Sequence, residues 1–385
     1  MKKYFSYLNT AEKLLSGYAG EIPFAIHARE YFSREKKFGS RDRKWISHLC
    51  YCYFRLGHTA RTMPVGDRIL SGLFLCTSDP NQLLEFIRPE WNERVALSIP
   101  EKFIYLRETG LDLRLEEVFP VLPFSDGVEA EPFIASHFKQ PDLFIRVRPG
   151  FENIVPSKLA AAGIPYKEIP PRSIAIANAV PLQDVILLDK EAVVQDLSSQ
   201  RTWDLLPGVG KGGKVWDCCA ASGGKSFMVK DKLGNLELTV SDIRESVLAN
   251  LRKRFSVAGL SNYQVVHKDL TLPTGIDSQF VLVIADVPCT GSGTWSRSPE
   301  QLYYFQETSL QNFSQLQKKI CGNVIPAITP GGYFLYITCS VFRAENEFVI
   351  EFLRSNFGLK YIQGGIIAGY REKADTMYGC LLQRS

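Results

Sequence analysis

Nowhere in the 385 residues is there an apolar run of 18 or more, so no segment reads as a membrane-spanning helix. The start, Met1-Lys2-Lys3-Tyr4-Phe5, lacks the apolar stretch and small-residue cleavage site of a secretory leader, and a cytosolic protein is expected. The nine cysteines offer no pair of Cys-x-x-Cys knuckles: Cys50/Cys52 and Cys218/Cys219 are too closely spaced, and Cys76, Cys289, Cys321, Cys339 and Cys380 stand alone. No metal site is therefore expected, and reduced thiols are expected rather than a disulfide framework. The net charge of +4 is too small by itself to indicate a polyanionic partner. Internal repeats and low-complexity tracts are absent, and a monomer is the simplest expectation.

What is present is unevenly distributed. Residues 1–68 hold 13 Lys/Arg against 6 Asp/Glu, and residues 69–130 hold 5 against 11, so a basic module precedes an acidic one. From Tyr4 to about Arg114 the apolar residues recur at helical spacing. Trp45, Leu49, Tyr53 and Leu56 fall on one stripe, and Arg41, Lys44, His48 and Arg55 on another. This predicts an amphipathic helix whose basic outer face is either solvated or in contact with RNA. Between Pro132 and about Val194 the short runs Leu143–Val147, Ile174–Ile176 and Val185–Leu188, with one helical piece near Pro156–Ala162, predict a small α/β unit. Arg146 and Arg148 alternate with apolar neighbours and project from one strand face, as salt-bridge partners or as phosphate contacts.

After Gln200 the pattern alternates. Strands are predicted over Val215–Cys219, Leu236–Ser241, Tyr263–His267, Phe280–Ala285 and Gly332–Ile337, with helices near Lys225–Leu233, Glu245–Ala258, Gln301–Ile325 and Ala344–Asn356. Repeated β-α units imply an α/β fold with a doubly wound, parallel, Rossmann-like sheet that binds ligands at the carboxyl ends of its strands. The expected organisation is an all-helical domain over 1–130, a small α/β subdomain over 131–195 and a catalytic domain over 196–385.

The first of these strands runs through Asp217-Cys218-Cys219-Ala220-Ala221-Ser222-Gly223-Gly224-Lys225-Ser226 into a helix. Small residues let the backbone approach a ligand, and the helix N-terminus favours negative charge. Neither the nicotinamide nor the P-loop glycine spacing is present. Asp242, about 20 residues past the glycines, can accept hydrogen bonds from both ribose hydroxyls. Asp269, after the third strand, can bind an adenine amino group; either aspartate can instead cap the helix that follows. Loop, Asp242 and Asp269 at successive strand ends favour a nucleoside cofactor, and S-adenosylmethionine fits best.

At the ends of the fourth and fifth strands lie Asp286-Val287-Pro288-Cys289 and Thr338-Cys339-Ser340. Free cysteine often packs as a small hydrophobe, but two thiols at the functional edge can face one cleft. A thiolate adding to carbon 6 of cytosine pushes electron density onto carbon 5, which can then take a methyl group; loss of the carbon 5 proton expels the enzyme. Such a thiol needs an electropositive setting, since its ordinary pKa is roughly 8.5. Lys225 can supply it, and Asp286 can hydrogen-bond the base or steer the lysine. These features leave open which thiol attacks.

The set Asp217–Ser226, Asp286-Val-Pro-Cys-Thr-Gly-Ser-Gly-Thr-Trp-Ser-Arg-Ser-Pro-Glu300 and Thr338-Cys-Ser-Val-Phe-Arg-Ala-Glu-Asn-Glu347 closely resembles the Sun/Nop/RsmB family of RNA 5-methylcytosine methyltransferases. Val194-Gln195-Asp196, leading to Ser199-Gln200, looks like that family's lead-in. The resemblance implies a methyltransferase fold, S-adenosylmethionine as cofactor, and RNA as substrate, ribosomal RNA first and transfer RNA second. It implies that Cys339 forms the covalent bond to cytosine and that Cys289 assists release, with Lys225 and Asp286 at active-site positions. The cofactor-binding set would be Cys219, Ala220, Ala221, Ser222, Gly223, Gly224, Lys225, Asp242, Asp269 and Asp286. A DNA cytosine methyltransferase would instead attack with Cys289, and a non-catalytic RNA-binding protein on the same fold could dispense with Cys339, Lys225 and Asp242. Three departures stand out: Ser222 for the family's proline, Ser226 for threonine, and Asp375-Thr-Met-Tyr-Gly379 where Asp-Gly-Phe-Phe is common. The helical region, especially Gly39-Ser-Arg-Asp-Arg-Lys44, looks like the NusB-like RNA-binding domain of some bacterial ribosomal RNA members.

Overall fold

A computed structural model of the chain describes residues 2–178, 180–206, 212–234, 236–276 and 279–385. These fall into two units. The first comprises Met1–Leu122, Glu129–Gln140 and Thr294–Gln306. Its longer helices are Lys2–Ser16, Phe24–Arg34, Ser40–Arg55, Val65–Cys76 and Ile99–Glu108. The helix Ser40–Arg55 buries Ile46, Leu49, Cys50, Tyr53 and Phe54 on its inner face, while Arg41 and Lys44 are exposed. Arg55 does not share their basic outer face. It is buried and donates to the carbonyls of His137 and Ser296 and to Gln140 Oε1, because three carbonyl-type oxygens inside the unit satisfy a guanidinium better than a half-solvated surface would. The segment Thr294–Gln306, drawn from the stretch 196–385, contributes the short helix Pro299–Tyr304, and Tyr303 sandwiches fully buried Arg68 with Tyr53, at 5.3 and 4.9 Å. The sequence periodicity suggested one helix over Gln301–Ile325. Phe305 is extended instead, and a second helix, Glu307–Val324, begins after the break.

The second unit comprises Pro123–Val128, Pro141–Gly293 and Glu307–Ser385. It opens with a small antiparallel sheet of β1 (Leu143–Val147), β2 (Tyr166–Ile169), β3 (Ser173–Ile176) and β4 (Ala192–Val194), in the order β2-β3-β1-β4. The run Val185–Leu188, expected to be a strand, is a turn with one isolated bridge at Leu188, and Ala192–Val194 pairs with β1 in its place. Arg146 lies on β1 and Arg148 directly after it, and neither reaches out for phosphate. Arg146 Nη1 and Arg148 Nη2 pair with Asp231 at 2.7 and 2.9 Å, with all three side chains nearly inaccessible. The pairing ties this sheet to the helix Gly224–Leu233, which carries Asp231.

The main sheet has seven strands: β5 (Lys214–Asp217), β6 (Glu237–Asp242), β7 (Tyr263–His267), β8 (Phe280–Asp286), β9 (Ile328–Thr338), β10 (Leu359–Ile367) and β11 (Met377–Arg384), ordered β10-β11-β9-β8-β5-β6-β7. β5 to β9 are mutually parallel. Helices cover both faces, so β8 reads as a continuous apolar run, Phe-Val-Leu-Val-Ile-Ala, rather than an alternating one. The sheet is not parallel throughout: β11 runs antiparallel between β9 and β10, because the hairpin joining β10 to β11 leaves no room for a crossover helix. Strand order reverses at β5, with β6 on one side and β8 on the other, and there the carboxyl ends open a crevice. No helix among the described residues is long and apolar enough to cross a membrane.

Candidate functional site

The loop after β5 is shaped by two left-handed residues, Ala221 (φ 46°) and Gly223 (φ 88°). Glycine is required at 223 twice over, since a Cβ there would lie 3.0 to 3.2 Å from Phe255 and Leu251. At Ala221 the same conformation costs about 1–2 kcal/mol. The hydrogen bond from its N–H to Asp242 Oδ2, 3.1 Å, helps hold it. Ser222 is clamped from outside: Arg254 donates to its carbonyl at 2.6 Å and its hydroxyl at 3.1 Å, while forking onto Asp189 at 2.6 to 3.1 Å. Arg254 lies 32 residues away in sequence, and no local pattern marked it. Ala220 is buried and Cys219 half-buried, and nothing lies within 4 Å of where a Cβ on Gly224 would be, so the loop has an open side.

Asp242 ends β6, buried beside this loop. Burial pushes its carboxyl up, but hydrogen bonds from the Arg244 side chain and backbone and from Ala221 outweigh that and hold it below the usual carboxylate range. Arg244 is largely exposed and can swing away from both oxygens. Asp269, after β7, folds back to accept the Thr271 N–H at 2.8 Å, and the next element among the described residues is β8, so it caps no helix. Asp217, at the end of β5, is fully buried and accepts from Ser226 at 2.5 Å; burial pushes it up to about 7.

Across the crevice β8 ends in Asp286, whose Oδ2 takes the buried Lys225 Nζ at 2.8 Å. Three residues on, Cys289 Sγ lies 3.2 Å from Cys339 Sγ, at the end of neighbouring β9. Both thiols are half-buried and free. The hydrogen bond with Cys339, then burial and the nearby Glu345 carboxylate, lift the Cys289 thiol far above the ordinary range. The turn beneath them is close-packed: Gly293 donates to the Cys339 carbonyl at 2.8 Å and accepts from Thr376 at 2.9 Å.

The structure thus gathers Cys219–Lys225, Asp242, Asp286, Cys289 and Cys339 along the carboxyl edge of β5, β6, β8 and β9, with Asp269 beyond β7. Two buried side chains at this edge had no assigned role in the sequence reading, Glu345 and Gln317. Glu345 stands inside a motif that carried the family resemblance; Gln317, on a helix 28 residues earlier, left no signal.

Residues 209–365 match the family model described as 16S rRNA methyltransferase RsmB/F. Over 233 residues the chain is 28% identical to ribosomal RNA small subunit methyltransferase B of Xylella fastidiosa, covering 58% of this chain and 53% of that one. The chain spans about half the length of the curated relatives it matches. Among solved structures, PH0851 superposes with a TM-score of 0.69 over 99% of this chain and 98% of its own, at 19% identity. NSun6 from Pyrococcus horikoshii, solved with SFG, gives 0.58 over 66% and 94%, at 13% identity. These likenesses establish the fold, and the segment that holds the loop, Asp242 and both thiols is similar to the RsmB/F methyltransferases.

Proposed function

We propose that this protein transfers a methyl group from S-adenosylmethionine to carbon 5 of a cytosine in RNA, with Cys339 as the nucleophile. The observation that carries this reading is the pair of thiols 3.2 Å apart at adjacent strand ends. The hydrogen bond with Cys339 and burial keep the Cys289 thiol protonated. The Thr338-Cys339 motif that carries the family resemblance is what assigns the attack to Cys339.

The open side of the loop at Gly224, Asp242 behind a displaceable arginine, and the N-terminus of the helix Gly224–Leu233 fit a nucleoside cofactor with a charged tail. When bound, S-adenosylmethionine supplies the electrophilic methyl group that carbon 5 takes. The chain's own part is to form and break one bond. Cys339 Sγ adds to carbon 6, and the electron pair of the 5,6 double bond shifts into the ring, making carbon 5 nucleophilic. Asp286, with one oxygen held by Lys225, can accept a hydrogen bond from the cytosine amino group and fix the base over the thiol. Water takes the carbon 5 proton, the carbon–hydrogen pair reforms the double bond, and Cys339 departs with the Sγ–carbon 6 pair, a step we assign Cys289 to assist.

Labelled S-adenosylmethionine, cytosine-containing RNA and single Cys→Ala variants test this. Cys339→Ala should abolish transfer, and Cys289→Ala should trap a covalent protein–RNA adduct stable to denaturing gels. Full activity in Cys339→Ala would overturn the division of roles. The resemblance to ribosomal RNA small subunit methyltransferases favours ribosomal over transfer RNA, and bisulfite mapping of both pools with and without the gene decides between them. The helical unit and the small sheet are the regions we assign to holding RNA, in a cytoplasmic monomer.

A further inference from the structure

We infer that Glu345 is a positioning residue for Cys289, and that with Gln317 it forms a clasp that makes release of the methylated product possible. The inference rests on the thiol roles proposed above. Glu345 is fully buried in the turn after β9, and its two oxygens close on the residue next to Cys289. Oε1 accepts the Thr290 N–H at 2.8 Å, and Oε2 accepts the Thr290 hydroxyl at 2.6 Å. Gln317, also fully buried, grips the residue on the other side: its Nε2 donates to the Pro288 carbonyl at 2.9 Å and to Glu345 Oε1 at 3.0 Å. The tripeptide Pro288-Cys289-Thr290 is thus held at both ends, with Cys289 the member left to face the crevice.

Glu345 is itself anchored to the strand of the other thiol, because its carbonyl accepts the buried Tyr336 hydroxyl of β9 at 2.6 Å. One residue therefore bridges the turn of Cys289, through its carboxylate, and the strand that leads to Cys339, through its carbonyl. Its negative field also helps keep the proton on Cys289. Burying a carboxylate costs stability unless hydrogen bonds answer it. Here burial is the largest influence, lifting the Glu345 carboxyl, and donors from Ser340, Thr290 and Gln317 oppose it. A carboxylate so heavily supplied with donors is a costly way to fill space and an effective way to fix a turn.

If the clasp serves Cys289, loosening it should impair release more than bond formation. In Glu345→Gln the side chain keeps its shape but cannot accept at both ends of Thr290. We expect the first turnover to fall by no more than about threefold, steady-state turnover by about tenfold or more, and a Cys339-linked RNA adduct to accumulate. Gln317→Leu, which frees Pro288 and leaves Glu345 in place, should show the same signature, and it serves as the test if Glu345→Gln does not fold. Equal losses of first and later turnovers without adduct would mean that Glu345 only supports the fold, and unchanged turnover would mean that the clasp is idle; either overturns the proposal. Cys289→Ala run alongside separates the two readings. An adduct there but not in the clasp variants refutes the clasp alone, whereas no adduct in Cys289→Ala refutes the thiol roles and the clasp with them.

Discussion

Replacing Asp231 by alanine tests the assignment of Arg146 and Arg148 to the interior rather than to RNA. The three side chains form a buried triad: Asp231 is 4% exposed, Arg146 6% and Arg148 10%. Removing the carboxylate leaves two guanidinium charges without their counter-ion, a loss that in buried pairs costs about 3–5 kcal/mol. Arg148 would keep the carbonyls of Asp189 and Ala258 at 3.1 and 3.0 Å, and Arg146 would keep Gln195 at 3.0 Å. The lower end, about 3 kcal/mol, is therefore expected, or roughly 6–12 °C in melting temperature for a unit of this size. Urea and thermal unfolding of the parent and Asp231→Ala at pH 7 measure it. Because the pair is screened little by salt, the difference should persist in 0.5 M NaCl, about five times a 0.1 M reference. A loss under about 1 kcal/mol, accompanied by tighter RNA binding, would refute the reasoning and return both arginines to a phosphate role.

Asp217 is protonated in the fold up to about pH 7, whereas its unfolded counterpart ionises near 3.8. The stability it contributes is therefore complete below about pH 4 and is lost as pH rises toward 7; Asp217→Asn should flatten that decline when unfolding midpoints are compared at pH 5 and pH 7. Gly293→Ala would place a Cβ 1.9 Å from the Thr376 carbonyl oxygen. It should destabilise the protein by about 2 kcal/mol or more and depress methyl transfer through the shifted Cys339 turn, both read from melting and activity of the same preparation. Arg254→Ala frees Ser222 from its clamp, and calorimetry should find cofactor affinity weakened by about 1 kcal/mol, roughly fivefold, with no change in which thiol forms the adduct.

Much of the main sheet was legible because its physics is local. β7 spans the residues that the apolar pattern marked, β8 runs one residue further, β6 is displaced by one residue, and β5 begins one residue earlier and ends two earlier, since a strand buried on both faces must be an apolar run. The small sheet was less legible: Tyr166–Ile169 is only partly buried and carries Lys167 and Glu168 outward, so it left little hydrophobic signal, while the apolar run Val185–Leu188 is bent into a turn. At the site, the strand-end positions of Asp217, Asp242, Asp286, Cys289 and Cys339 followed from the alternation of elements. Their partners did not, because Arg254, Gln317 and Asp189 act across the fold and carry no mark in their own neighbourhoods.

The sequence alone determined an α/β sheet with its loop, acids and thiols at one edge, because strand periodicity and turn chemistry depend on residues a few positions apart. Only the tertiary structure decided that Arg146 and Arg148 turn inward onto Asp231, that two thiols 50 residues apart meet at 3.2 Å, and that one buried glutamate holds the turn between them. Each of these is a contact between distant parts of the chain. Its free energy depends on the burial and hydrogen bonds of the folded interior, which no stretch of sequence contains by itself.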